Sequence, residues 1–383
     1  MVVSKKVMQH MRSDLKIAFI YLGRRGGGAV YALEVARALH KKAKCLVIIS
    51  QQVWNLKVWR DSGLPLLEIP TYQNPLSFVF STLNIANHLT LRNKLSNFDP
   101  DVLYYPMLDL WTPLVNWLMP KVPKVLTLHD PVQHYGERNL ILAIVQWLAI
   151  RQSSRVILLS RSFIEKGKRL GISSDCIDVI PLGEFSYYTR FGKVDPKGPK
   201  STILFFGRIL PYKGLNILLD AFPLIKERIP EARLLIIGSG NLKPYKERLQ
   251  NLHDVIVVNR WIADDEVASF FQQADILVAP YIDASQSGVI PIAYAFKVPV
   301  IATRVGGLSE QVEDGKTGLL VNAGDVAALA EACVCLLSNP SWATSLGEAG
   351  YQKAIREWNW DRIAELVYES CAKAVFARHK SRP

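Results

Sequence analysis

The stretch LKIAFIYLGRRGGGAVYALEVARALHKK, residues 15–42, decides the fold. It opens on an apolar run, LKIAFIYL, with Lys16 as its sole charge, the pattern of a strand buried on both faces. Gly23 and then Gly26, Gly27 and Gly28 interrupt that run. Beyond them Val30, Leu33, Val35, Ala38 and Leu39 recur at helical spacing. Strand, glycine turn and helix in that order open a parallel, doubly wound sheet.

Working outward, the alternation continues. KCLVIIS (44–50), VLYYP (102–106), KVLTLHD (124–130) and RVILLS (155–160) read as further strands. EFSYYTRFGKVDPKGPK (184–200) keeps no period and collects Gly, Pro and Lys, which reads as a linker. After it the pattern restarts. STILFFG (201–207), ARLLIIG (232–238), VIVVN (255–259), DILVAP (275–280) and VPVIAT (298–303) are strands, separated by the helical NILLDAFPLIKERIP, KPYKERLQNL, DDEVASFFQQA and GVIPIAYAFK. From Ser341 to Lys380 the pattern is mostly helical, with a bend at Trp358 and Trp360. The expected organisation is one Rossmann-like domain over 1–185, a linker over 186–200 and a second such domain over 201–360. Two such domains would carry a cleft between the carboxyl ends of their sheets, where open α/β folds bind ligands.

Composition sets limits. A chain of 383 residues can bury two cores. With 49% hydrophobic and 21% charged residues it is neither disordered nor fibrous. The five cysteines are scattered without zinc-ligand spacing, which reads as reduced thiols in a cytosol. Cys333 and Cys335 would point to different faces of one helix. MVVSKKVMQHMRSD lacks the apolar core of a signal peptide. The apolar run Leu140–Ile150 is shorter than the roughly 20 residues that span a bilayer.

Charge is lopsided. Residues 1–200 carry 27 Lys+Arg against 14 Asp+Glu, net +13, and residues 201–383 carry 19 against 20, net −1. No nucleic-acid-binding signature accompanies the excess, so nucleic acid is not an expected partner. An anionic membrane surface or lipid phosphate fits better, because Phe78, Phe80, Trp111, Trp117 and Trp147 lie in the same half. The alternative, that these aromatics are core and the charge aids solubility, stays open at this point.

Two loops invite an anion. Gly27 and Gly28 at a helix start offer free N–H groups, although a tight turn would explain the glycines equally well. GRILPYKG (207–214) follows a strand and presents Arg208 and Lys213. Two cations on such a loop can hold one diphosphate.

FFGRILPYKGLNILLDAF resembles the phosphate-binding segment of the retaining glycosyltransferases of family 4, which have the GT-B fold. The resemblance extends through GGGAVYALEVARAL, TLHDP, RVILLSRS, VIPLGEF, ARLLIIGSG, ADILVAPY, VPVIATRVGGLSEQVEDGKTGLLV and EWNWDRIAELVYE. It implies transfer of a sugar from a nucleotide-diphosphate donor to a saccharide or lipid-linked acceptor, without a divalent metal or other cofactor. In that reading Arg208 and Lys213 neutralise the leaving diphosphate, and Gly27 and Gly28 add N–H groups. His129 lies beside the transferred sugar. Gly207, Gly238, Trp261, Ile262, Val289 and Glu310 border the donor, and the terminal segment 361–383 returns to the first domain.

One departure stands out. The family's two glutamates, seven residues apart, fall here on Ala284 and Ile292 within YIDASQSGVIPIAYAFK. Asp283 is the candidate substitute for the first, and Ser285, Gln286, Ser287 and Gly288 are further candidates for sugar or phosphate contacts. The resemblance implies a displacement without covalent intermediate, the departing phosphate assisting deprotonation of the acceptor. The cysteine usage and the basic first half lead to the expectation of a cytoplasmic protein at the inner membrane face. Two rival readings are a nucleotide-sugar epimerase on the same fold and a non-catalytic nucleotide-sugar-binding protein.

Overall fold

The computed structural model describes residues 15–24, 26–132, 139–192 and 201–380, and the chain divides into two compact units.

The first unit is built on a seven-stranded sheet of order β3-β2-β1-β4-β5-β6-β7. Its strands are β1 (Lys16–Tyr21), β2 (Lys44–Ser50), β3 (Leu66–Ile69), β4 (Val102–Tyr105), β5 (Lys124–Leu128), β6 (Arg155–Leu158) and β7 (Ile177–Val179). Every neighbouring pair is parallel. The order runs one way from β1 to β3 and the other way from β4 to β7, so the loops after β1 and β4 diverge at a switch point. Helix Gly27–His40 covers one face with nine buried residues, Ala29 to Leu39, which is the apolar spacing read in the sequence. The last helix, Trp360–Lys380, belongs to this unit and lies against Gly27–His40 and β4 to β6. Tyr31 and Trp360 meet edge to face at 5.8 Å, and Lys42 pairs with Glu365 at 3.1 Å.

The second unit carries a six-stranded parallel sheet of order β10-β9-β8-β11-β12-β13. Its strands are β8 (Thr202–Phe206), β9 (Arg233–Ile237), β10 (Val255–Val258), β11 (Ile276–Ala279), β12 (Val300–Thr303) and β13 (Gly318–Val321). Here the switch point lies between β8 and β11. Helices Leu215–Arg228 and Val326–Ser338 pack on one face of the sheet.

Three differences from the sequence reading have physical reasons. First, β3, β7 and β13 were not expected as strands. They are short edge strands carrying Glu68, Asp178 or Gly318, so they lack the unbroken apolar run of a central strand. Second, Ser186–Phe191 is not linker but a 3-10 helix of the second unit, with Tyr187 and Tyr188 buried against helices Asp264–Gln273 and Val289–Ala295. Residues 193–200 lie outside the described residues. Third, the aromatic residues of the basic half divide. Trp111 is core and Phe78 packs against that core, whereas Phe80 is 67% exposed, Trp117 72% and Trp147 50%.

Those exposed aromatics have company. Helix Pro75–Leu83 shows Leu76, Val79 and Leu83 to solvent, and helix Leu140–Gln152 shows Leu140, Ile141 and Ile144. Helix Thr112–Leu118 packs against Leu140–Gln152, and just before it Trp111 Nε1 donates to Thr82 Oγ1 at 2.9 Å. Among the described residues no single helix is long and apolar enough to cross a membrane.

Candidate functional site

In the second unit, the loops after β8 and β11 meet at the switch point. Gly207 has φ +118 and Gly238 φ +141, and a Cβ on Gly238 would sit 1.9 Å from the Gly207 carbonyl oxygen. Only glycine lets these two strand ends touch. Gly214 (φ +69) is equally constrained, since a Cβ there would lie 1.9 Å from Pro280 O. The close approach is sealed by Ile282 N–H donating to Tyr212 O at 2.7 Å.

Tyr212 links the two cations. The exposed Arg208 donates through Nη2 to Tyr212 Oη at 3.4 Å, and Lys213 Nζ lies 5.1 Å from the centre of the Tyr212 ring. Lys213 Nζ also sits 3.8 Å over the Tyr281 ring. An aromatic face holds an ammonium without neutralising it, so positive charge is fixed on this rim. Val289 is there too, its Cγ2 3.6 Å from a Cβ built on Gly207.

The SQSG segment behaves differently from expectation. Ser285 and Ser287 are buried. Ser287 Oγ lies 3.1 Å from Tyr281 Oη and accepts from Val289 N–H at 3.3 Å. Gln311 clamps the same residue, its Oε1 accepting from Ser287 N–H at 2.8 Å and its Nε2 donating to Ser287 O at 2.9 Å. The Ser287 hydroxyl therefore faces inward and shapes the loop. Gln286 is half-buried, and its Oε1 is buried without a hydrogen-bond partner. Gly288 adopts an ordinary helical conformation ahead of helix Val289–Ala295, and Asp283 is half-exposed. Ala284 and Ile292 are both buried, so the two aligned positions are core.

The remaining donor candidates spread along the same edges. Trp261 is half-exposed and Ile262 buried. The neighbouring Arg260 is committed to Glu266 through two contacts of 2.8 and 2.5 Å. Glu310 is exposed, and its backbone carbonyl accepts from Lys353 Nζ at 3.1 Å.

In the first unit, Gly26 (φ +92) precedes helix Gly27–His40. Gly27 faces open space, and a Cβ on Gly28 would lie 2.5 Å from Met107 Cε. His129 stands at the end of β5, with Nε2 2.9 Å from Pro106 O and its ring edge-on to Tyr31 at 4.9 Å. A carbonyl can only accept, so Nε2 carries the proton and Nδ1 presents its lone pair. Burial lowers the His129 pKa, against partial opposition from the Pro106 carbonyl and Asp130, and favours the neutral ring.

Sequence reasoning passed over a second cluster beside these residues, made of Tyr21, Arg24, Tyr72 and Asp109. Tyr21 ends β1, and the other three come from the loops after β1, β3 and β4. The available signal was Asp109, a carboxylate just beyond a central strand. Burial lifts the Asp109 carboxyl to about 6, although the Trp111 N–H, Arg24 and Tyr72 all pull it down. Among the described residues no group of three or more His, Cys, Asp and Glu side chains is placed to hold a metal ion.

Comparison with known proteins bears on this geometry. Residues 25–183 match the family model described as Glycosyltransferase Family 4, and residues 200–339 match Glycosyl transferases group 1. A GDP-mannose-dependent alpha-(1-6)-phosphatidylinositol monomannoside mannosyltransferase of Mycolicibacterium smegmatis is 34% identical over 51% of this chain and 54% of that protein. Thus the chain spans about half the length of that relative. A phosphatidyl-myo-inositol mannosyltransferase of Mycobacterium leprae is 28% identical over 88% of this chain and 91% of its own length. A D-inositol 3-phosphate glycosyltransferase of Pseudarthrobacter chlorophenolicus is 33% identical over 63% and 58%. Among solved structures, Anabaena Alr3699/HepE in complex with UDP and glucose superposes with a TM-score of 0.74 at 19% identity, covering 94% of this chain and 100% of that one. The sucrose-phosphate synthase of Thermosynechococcus elongatus gives 0.70 at 21% identity, covering 95% and 99%. The two parallel sheets and the two domain matches place this chain among the glycosyltransferases of the GT-B fold. Its first unit carries the Family 4 domain and its second the group 1 domain.

Proposed function

We propose that the chain transfers a sugar, with retention and without a divalent metal, from a nucleotide-diphosphate donor to a hydroxyl of a phosphorylated polyol or lipid-linked acceptor. The observation that carries this reading is the rim at the second switch point, where Arg208 and Lys213 flank Tyr212. Departure of a diphosphate builds negative charge, and cations fixed in advance stabilise it without reorganisation. Neutral His129, with Nδ1 free to accept a hydrogen bond, suits a partner for a sugar hydroxyl. GDP-mannose-dependent and inositol-phosphate relatives support the choice of donor and acceptor classes, and a UDP-bound structural neighbour keeps uridine donors among the candidates.

One observation favours the non-catalytic reading. Ala284 and Ile292 are buried and apolar, so no carboxylate stands at either position. The experiment that decides is a thermal-shift panel of GDP, UDP, GDP-mannose and UDP-glucose, with and without Mg²⁺, on wild type and Arg208→Ala. The reading expects a metal-independent rise for one base, lost in the variant, together with slow hydrolysis of the matching sugar nucleotide. Binding without hydrolysis or transfer would leave a nucleotide-sugar-binding protein. A changed sugar would point to an epimerase.

The same proposal puts the protein at the cytoplasmic membrane face, attached through its first unit. The exposed Phe80, Trp117 and Trp147, with flanking aliphatic residues, supply apolar contact, and the basic half supplies attraction of about 1 kcal/mol per cation near an anionic surface. Vesicles of phosphatidylcholine with phosphatidylglycerol should float the protein at low salt and release it at high salt. Failure to float at low salt removes this part of the proposal.

A further inference from the structure

We propose that Tyr21, Arg24 and Asp109 form the acceptor's subsite, seating a polyol that carries a phosphate. The inference rests on the transferase reading above and gives it an acceptor site.

The three residues sit where the sheet diverges. Tyr21 ends β1, Arg24 lies in the glycine loop after it, and Asp109 lies in the loop after β4, its neighbour across the switch point. The Tyr21 hydroxyl is buried without a hydrogen-bond partner. Such a group is expensive to leave unsatisfied in a folded protein and calls for a reason. Glycines roof it. A Cβ on Gly23 would lie 2.5 Å from Tyr21 Oη, and one on Gly28 would lie 3.7 Å away. The phenol therefore lies against the glycine loop at the start of helix Gly27–His40, with the Met107 side chain beside Gly28 and Trp59 stacked on its ring at 6.0 Å.

Asp109 and Arg24 have capacity to spare. One Asp109 oxygen accepts from Trp111 N–H at 2.9 Å, and the other receives only a long contact of 3.5 Å from Tyr72 Oη. Arg24 donates one Nη1 bond to Tyr72 O at 2.9 Å, and its guanidinium stacks 4.3 Å over the Tyr72 ring. Its Nε and Nη2 hydrogens meet no partner among the described residues. A guanidinium held flat by an aromatic ring is pre-organised for bidentate phosphate binding. A carboxylate and a phenol suit sugar-like hydroxyls. Asp109 would repel a phosphate, so the pair gives the acceptor a direction, phosphate toward Arg24 and hydroxyls toward Asp109 and Tyr21. The loop that bears Asp109 also bears Pro106, whose carbonyl fixes His129, so one short segment serves both.

The test is direct binding to the full chain, independent of turnover. Isothermal titration with D-myo-inositol 3-phosphate, myo-inositol and inorganic phosphate covers the free probes. Flotation on vesicles containing phosphatidylinositol, against equally charged phosphatidylglycerol vesicles, covers the lipid form. The variants are Tyr21→Phe and Arg24→Gln. Tyr21→Phe removes an unsatisfied hydroxyl, so the melting temperature should hold or rise while inositol-phosphate affinity falls about tenfold. Arg24→Gln should cost at least as much for the phosphorylated probe and leave myo-inositol little changed. Whichever form binds, free or lipid, identifies the source of the headgroup. Wild-type binding that both variants keep within twofold overturns the proposal, as does no binding of either form. Failure of the transferase reading shows separately, as loss of every nucleotide shift.

Discussion

Asp178 offers a quantitative test of how the last helix is held. Its Oδ2 accepts from Arg155 Nε at 2.7 Å and from Ser370 Oγ at 2.7 Å, and its Oδ1 accepts from Lys373 Nζ at 2.9 Å. Two of these donors lie in helix Trp360–Lys380, and the Asp178 side chain is 13% exposed. Burial alone would raise the carboxyl, but hydrogen bonds from Arg155, Lys373 and Ser370 overcome it and hold the pKa at about 2. Against about 3.9 in an unfolded chain, that gap corresponds to roughly 2 to 3 kcal/mol. The folded value is depressed, so the stabilisation is complete above about pH 4 and disappears as pH falls toward 2. Asp178→Asn should forfeit it. The two units need not unfold together, so one melting temperature is a poor gauge. Hydrogen exchange of the amides of 360–380 reads the local opening instead. Opening the helix breaks only the Ser370 and Lys373 bonds while Arg155 stays on β6, so at pH 6 the variant's helix should exchange about tenfold faster than wild type, the equivalent of about 1.4 kcal/mol. Near pH 2 the two should converge. A difference that stays constant from pH 6 to pH 2, or none at pH 6, would refute the assignment of the depressed carboxyl to this network.

Three further outcomes follow from the geometry. Gly238→Ala places a Cβ 1.9 Å from Gly207 O at φ +141, so it should cost more than about 2 kcal/mol and abolish any nucleotide-induced thermal shift; a normal melting curve with normal nucleotide response would contradict it. Asp264 is raised to about 7 by burial, with Asp265 adding and Tyr187 and Arg190 opposing. Its ionised form therefore burdens the fold, and the wild type should lose stability as pH rises from about 4 to about 7. Asp264→Asn should melt higher than wild type at pH 8 and alike at pH 4; the opposite ordering counts against the buried carboxyl. Gln311→Ala strips two buried bonds from Ser287 and should cost about 2 kcal/mol or more, with weaker donor binding than stability alone accounts for, measured by thermal shift and titration with the active nucleotide.

How far the sequence carries can be read from particular residues. The central strands β1, β4, β5, β8 and β11 are covered on both faces, so they appear as unbroken apolar runs. The edge strand β7 holds Asp178, which pairs with Ser370, 192 positions further along the chain, and no local window contains that partner. Tyr187 and Tyr188 were hidden by the Gly, Pro and Lys around them, although two adjacent tyrosines in a supposed linker were a usable signal. At the sites, Arg208, Lys213 and the glycines are legible because strand-to-helix loops place them. The inward turn of Ser287 is not, because Gln311 decides it from another helix. Tyr21 and Asp109 become neighbours only once β1 lies beside β4.

The return of helix Trp360–Lys380 to the first unit has a consequence for biosynthesis. The chain begins one unit, completes the other, and only then supplies the missing piece of the first. Ile363, Ala364, Val367, Cys371 and Ala374 are the buried stripe of that piece. Until they leave the ribosome, the apolar surface they cover on helix Gly27–His40 has no lid, so a nascent chain carries a sticky half-finished domain while the second unit folds autonomously behind it. A premature stop after the second unit would release a product whose second unit is whole and whose first is a target for chaperones and proteases.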